Sequence, residues 1–136
     1  MTFNNKSEQS TQWFKGEDVA RNFFKKKGGK YCQIDLLYEN NAGDMFIVEV
    51  KNQEHFTSGG GCLFDWHGLP PYQFQERIRL AKKIWATPIL FVIDEKQEAI
   101  FYQDMRMLDE WESFTTERNP RIIFPLENFT KKPLNV

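Results

Sequence analysis

YCQIDLLYENNAGDMFIVEVK, residues 31–51, is the stretch on which the fold turns. Residues 31–39 and 45–51 are rich in strand-forming side chains, and Asn40-Asn41-Ala42-Gly43-Asp44 between them consists of residues that tolerate tight turns. The spacing predicts a hairpin. With the turn centred on Ala42, position 39 pairs with 45. Steps of two down the ladder then bring Asp35 opposite Glu49, with β-carbons roughly 5 Å apart. Side chains alternate across a strand, so Lys51 shares the face of Glu49, one pleat further along.

Like charges directly opposite on a sheet cost roughly 0.2–1 kcal/mol, so two facing acids call for a compensating charge. A divalent cation supplies one. Mg²⁺ takes oxygen ligands near ~2.1 Å and keeps several waters, so Asp35, Glu49 and the Val50 carbonyl make a sufficient protein share. Lys51 would add positive charge beside a water or a phosphate, where negative charge develops. Hydrolysis of a phosphodiester needs these groups. The competing reading treats Glu49-Val50-Lys51 as a solvated salt-bridging pattern at a strand end, with the acids on the surface of a small α+β interaction domain.

Asp35, a gap of thirteen residues, then Glu49-Val50-Lys51 resembles the signature of the PD-(D/E)XK nuclease superfamily, with Ile34 where the signature name has proline. Gly16-Glu17-Asp18-Val19-Ala20 resembles the helix that contributes an early Glu to the metal site in many members. Pro71-Tyr72-Gln73 resembles the Pro-x-Gln helix start of Holliday junction resolvases of the bacterial type. The likeness runs over residues 13–102. It implies a restriction-endonuclease-like core on the border of α/β and α+β, in αβββαβ order, with a central mixed sheet flanked by helices. It also implies Mg²⁺ or Mn²⁺ as cofactor, Glu17 as a further metal ligand, and Gln73, with Gln75 as a fallback, near the reacting phosphate. The partner implied is DNA, branched or duplex, cut by a homodimer. A catalytically dead member that binds nucleic acid or protein is the alternative within the same fold.

The 136 residues suit one domain, with residues 1–12 and 130–136 as flexible ends. Thirteen Phe and four Trp supply a core that needs no disulfide. Cys32 and Cys62 lack CxxC spacing, the start lacks an apolar signal core, and no apolar run approaches a membrane span. A soluble, cytoplasmic protein is expected. Net charge of −1 argues against coating nucleic acid by bulk electrostatics, so local clusters matter more. Lys25, Lys26, Lys27 and Lys30 form one, and Arg77, Arg79, Lys82 and Lys83 another. Either could hold phosphates, although lysines closing a helix are also ordinary dipole chemistry.

Helical periodicity covers residues 13–27, with Gly28-Gly29 as the stop and Glu17 at the edge of the apolar face. Residues 52–70 show little periodicity and read as a lid or binding loop, with Phe56, Phe64 and Trp66 available for core packing or base stacking. Its triple glycine lacks the Lys-Ser/Thr of a phosphate loop, so no nucleotide cofactor is expected. His55, Cys62, Asp65 and His67 carry zinc-type donors at a spacing that matches no standard site. A second helix over 71–85, with Phe74, Ile78, Ala81 and Trp85 inward, leads as a right-handed crossover into a strand over 88–94 covered on both faces. A turn at 95–98, an adjoining strand over 99–103 and a short helix over 105–112 follow. Ile122-Ile123-Phe124 reads as an edge strand or a packed loop, and Lys131-Lys132-Pro133 as frayed.

Overall fold

The computed structural model describes residues 6–28, 34–57 and 64–135. The chain falls into two compact units, residues 1–33 and 34–136. In the first, helix α1 spans Lys6–Lys26, so part of the expected flexible start is helical. Gly28, at φ +81°, ends it in a conformation open to glycine.

In the second unit, the hairpin forms in the expected register. Strand β1 (Leu36–Glu39) runs antiparallel to β2 (Met45–Asn52), with Glu39 opposite Met45 and Leu36 opposite Val48. The turn is built by Asn40, whose Oδ1 accepts from the N–H groups of Ala42 (3.0 Å) and Asp44 (2.9 Å). Gly43 supplies the left-handed φ of +88°. Strand β1 is shorter than expected. Asp35 stands before it because its carboxylate, rather than a backbone carbonyl, accepts the next N–H of the ladder, that of Val50.

Strand β3 (Trp66–Leu69) and helix α2 (Pro71–Ile84) lead to β4 (Thr87–Asp94), which lies parallel to β2. Proline at the first helical position suits a site whose N–H would be unpaired. Strand β5 (Ala99–Asp104) returns antiparallel, and Asp104 caps α3 (Met105–Glu110) by accepting from the Arg106 N–H at 2.9 Å. Two short strands, β6 (Phe114–Thr115) and β7 (Ile122–Pro125), precede β8 (Thr130–Pro133). The main sheet is mixed, in the order β1-β2-β4-β5-β8, and a second sheet has the order β3-β7-β6.

Helices α2 and α3 pack on one face of the main sheet. There Leu90, Val92 and Phe101 are buried against Phe74 and Leu108, and against Leu69 and Phe124 of the second sheet. Ile47 packs on Ala81 and Ala86. Among the described residues, no helix is long and apolar enough to cross a membrane.

Several expectations are corrected. Residues 88–94 alternate between buried and half-buried rather than being covered on both faces, and the half-buried side lines an apolar hollow of about 380 Å³ with Tyr38, Phe46, Val48 and Tyr102. Trp85 is 93% exposed instead of inward-facing. It takes the left-handed C-cap of α2 (φ 60°), and the Ala86 N–H closes on Ala81 O at 2.9 Å, which rotates Trp85 off the apolar stripe. Ile122-Ile123-Phe124 is the middle strand of the second sheet, not an edge. Lys131-Lys132-Pro133 is not frayed, because it pairs with β5.

The expected lid over 52–70 contains a buried strand. Phe56 bridges Trp66 through two backbone hydrogen bonds of 2.9 Å, with the two rings stacked at 4.0 Å. Phe64 packs on the same cluster, so these aromatic side chains serve the core. The Gly68 backbone lies against β7 so closely that a Cβ there would overlap the Ile122 carbonyl and sit 2.7 Å from Ile123 Cγ2. Gly59-Gly60-Gly61, Cys62, Cys32 and Lys30 lie outside the described residues.

Candidate functional site

The hairpin register ends at Leu36 opposite Val48, and its next step would set Asp35 against Glu49. Asp35 Oδ2 accepts from Val50 N at 2.9 Å. In a strand the N–H and C=O of one residue point to the same edge, so the Val50 carbonyl also faces the side where Asp35 stands. Alternation turns Glu49 and Lys51 toward α2, beside Ile47.

Helix α2 meets them with two side chains one turn apart. Lys51 Nζ donates to Gln73 Oε1 at 2.7 Å, and Arg77 Nε donates to Glu49 Oε2 at 2.8 Å. The match is geometric: four helical residues rise about 6 Å and two strand residues about 6.6 Å, so residues 73 and 77 stay in step with 51 and 49 on an antiparallel course. Lys51 Nζ also lies 3.6 Å from Glu49 Oε1. Both oxygens of Glu49, a residue only 4% exposed, therefore face a cation.

Gln73 rather than Gln75 faces this centre, and Gln75 is exposed. Arg77, expected as a phosphate ligand, is turned inward, with its side chain 12% exposed. Its link to Glu49 was the residue role that sequence reasoning missed. The signal was the four-residue step from Gln73, which places Arg77 on the same face of the helix. Glu17 belongs to the other unit, where Arg21 Nη2 lies 3.8 Å from its Oε2. Lys25, Lys26 and Lys27 are exposed at the end of α1, with Lys27 Nζ 5.4 Å over the Phe23 ring.

Among the described residues, no group of three or more His, Cys, Asp or Glu could hold a metal ion. Mg²⁺ does not require such a cage, since it is commonly bound through one or two carboxylates with water and substrate oxygens completing the shell. Asp35, Glu49 and the Val50 carbonyl fit that donor chemistry. What distinguishes this centre is that Glu49 already has two protein cations beside it, while Asp35 accepts from a backbone N–H.

A second polar cluster lies between the sheets. Asp94, fully buried, accepts from the N–H groups of His55 (3.1 Å) and Gln97 (3.2 Å) and from Gln97 Nε2 (3.1 Å). Gln53 is fixed by both backbone groups of Gly68, accepting from N at 3.2 Å and donating to O at 3.1 Å. Its Oε1 therefore faces His67 Nδ1 (3.0 Å) as an acceptor, so the neutral ring carries its proton on Nδ1. His67 Nε2, 3.2 Å from Asp94 Oδ2, is left without a hydrogen bond.

Burial pushes His67 down to about 4, against the pull of Asp94. Burial alone would raise Asp94. The N–H groups of Gln97 and His55, the His67 ring and the Gln97 side chain together outweigh it and hold Asp94 below its ordinary value. His55 and His67 thus converge on Asp94, tying the second sheet to the end of β4.

No protein-family model matches the chain, and no curated protein and no solved structure is similar to it at a significant level.

Proposed function

We propose that this chain is a metal-dependent deoxyribonuclease of the PD-(D/E)XK kind, which hydrolyses DNA phosphodiester bonds. The observation that supports the reading is that Asp35 Oδ2 accepts from Val50 N, next to Glu49, whose Oε1 lies 3.6 Å from a Lys51 ammonium held by Gln73. Mg²⁺ or Mn²⁺, held by Asp35, Glu49 and the Val50 carbonyl, would supply Lewis-acid chemistry at the scissile phosphate.

The chain's own groups divide the remaining work. Gln73 Oε1 accepts a hydrogen bond from the Lys51 ammonium and so fixes its direction. The ammonium also lies 3.6 Å from Glu49 Oε1, and its remaining N–H would face a water or a phosphate oxygen and offset the negative charge that builds during attack. Asp35 ties its carboxylate to the end of the sheet through Val50 N, so the acid is held by the hairpin rather than by a loop. Lys25, Lys26, Lys27 and Lys30 would contact the DNA backbone. Branched DNA, cut by a homodimer, is the favoured substrate on the likeness of Pro71-Tyr72-Gln73 to resolvases.

A second reading, a nuclease-fold module that binds nucleic acid or protein without cutting, is favoured by the two cations on Glu49. A cleavage assay separates the two. Wild type and Lys51→Ala are incubated with labelled duplex, single-stranded, flap and four-way-junction DNA in Mg²⁺, Mn²⁺ or chelator. Metal-dependent cutting by wild type, lost in Lys51→Ala with folding intact, is the expected result. Equal cutting by both proteins would refute the assignment of Lys51, and no cutting by folded wild type on any substrate would favour the binding module.

A further inference from the structure

We propose that the groove between the start of α2 and the turn joining β6 to β7 binds one unstacked nucleotide of the DNA, next to the scissile phosphate, with Tyr72 stacking on its base and Arg121 pairing with its phosphate. The proposal rests on the DNA reading above and adds a subsite to the same centre.

The groove is built at one end of the second sheet. Strand β3 ends at Leu69 opposite Ile122, so the chain leaves this sheet at Pro70 and enters β7 from Arg121. The space between the two segments, about 660 Å³, is lined by Pro70, Pro71 and Tyr72 and by Asn119, Pro120 and Arg121. Both segments are stiff. Two successive prolines fix φ ahead of Tyr72. The facing turn is closed by Thr116, whose N–H donates to Arg121 O at 3.0 Å and whose Oγ1 accepts from Arg121 N at 3.0 Å. A groove held this way loses little freedom when a ligand enters.

Its chemistry suits a base and a phosphate together. Tyr72 is 66% exposed, so its ring offers an open face, and every base has a π-face that can stack on it. A base inside a duplex is already stacked on both sides, so the base that meets Tyr72 has left the stack. The Arg121 guanidinium sits 5.6 Å over the Phe56 ring and, among the described residues, has no carboxylate partner. A planar cation without an acid beside it is suited to a phosphate oxygen pair.

Hydrogen bonding links the groove to the candidate site. Tyr72 Oη accepts from Gln73 Nε2 at 3.4 Å, and Gln73 Oε1 holds the Lys51 ammonium at 2.7 Å. A base on Tyr72 is thereby placed beside the phosphate that Lys51 faces.

Fluorescence anisotropy tests this on wild type, Tyr72→Ala, Tyr72→Phe and Arg121→Gln, with labelled single-stranded, flap and blunt duplex DNA, in chelator and, as phosphorothioate strands, in Mg²⁺. A 2-aminopurine base moved along the single strand reports stacking. Tyr72→Ala should weaken binding of single-stranded and flap DNA roughly fivefold or more and leave blunt duplex within roughly twofold of wild type. It should also abolish the stacking signal, which Tyr72→Phe should keep. Arg121→Gln should lower the slope of log affinity against log salt on the single strand by roughly 0.7, the value of one phosphate contact. If Tyr72→Ala binds every probe as wild type does, or loses affinity equally on duplex and single strand, the groove is wrong, and metal-dependent cutting by wild type would leave the nuclease reading standing. If wild type neither binds nor cuts any probe, the DNA reading falls and the groove with it. Loss of stacking in Tyr72→Ala, from a wild type that binds without cutting, would support the groove and favour the binding module.

Discussion

The buried His67–Asp94 pair makes acid sensitivity a quantitative prediction. His67 titrates at about 4 in the folded protein against 6.5 for the free side chain. The folded state therefore binds this proton less readily than the unfolded chain. Stability is complete above pH 6.5, falls as pH drops from 6.5 toward 4, and levels off below that. At one pKa unit per ~1.4 kcal/mol, the loss is about 2 kcal/mol between pH 7.5 and pH 5, and about 3 kcal/mol when complete. Asp94, held below its ordinary value, adds a loss of the same sign at lower pH.

The perturbation that isolates His67 is His67→Phe. The ring stands 5.0 Å from Phe101 and 6.2 Å from Phe129, so an aromatic hydrocarbon suits the site. Neither polar neighbour is orphaned, because Gln53 Oε1 keeps the Gly68 N–H and Asp94 keeps the N–H groups of His55 and Gln97. Urea unfolding of wild type and variant at pH values from 7.5 to 4.5 gives the two stability curves. The variant should match or exceed wild type at pH 7.5 and lose about 2 kcal/mol less by pH 5. Parallel curves would refute the reasoning, because they would mean that His67 binds its proton equally in both states.

Three further outcomes follow from the geometry. Gly68→Ala should destabilise by about 3 kcal/mol, since its Cβ would meet the Ile122 carbonyl and Ile123 Cα of the backbone as well as Ile123 Cγ2, and denaturant titration measures it. Asp35→Ala removes the acceptor of the Val50 N–H and should cost about 1 kcal/mol, whereas Asp35→Asn keeps an acceptor and stays near wild-type stability. Both Asp35 variants should lose metal-dependent cleavage, so a cleavage assay on the stable Asp35→Asn separates its role in the site from its role in the sheet.

Resemblance carried the functional reading further than residue patterns alone. The facing acids and Lys51 were legible because one hairpin contains them: an Asx-type turn at Asn40 and a period of two set the register without help from the rest of the chain. Gln73 entered only through the likeness of a helix start, and the structure puts it on Lys51. Arg77 was visible as a basic residue, and its pairing with Glu49 was not. That pairing crosses 28 positions and depends on how α2 is rotated over β2.

Local interactions therefore determined the hairpin, the helix at Pro71 and the strand at 87–94, because turn chemistry, capping and hydrophobic period are written within a few residues. The tertiary structure decided the rest. It chose the partners of β3, β7 and β8, buried Asp94 between two histidines 39 and 27 positions away in sequence, and turned Trp85 outward. These outcomes depend on which surfaces exclude water together and which buried charges find partners, and a local pattern of polarity carries no record of that choice.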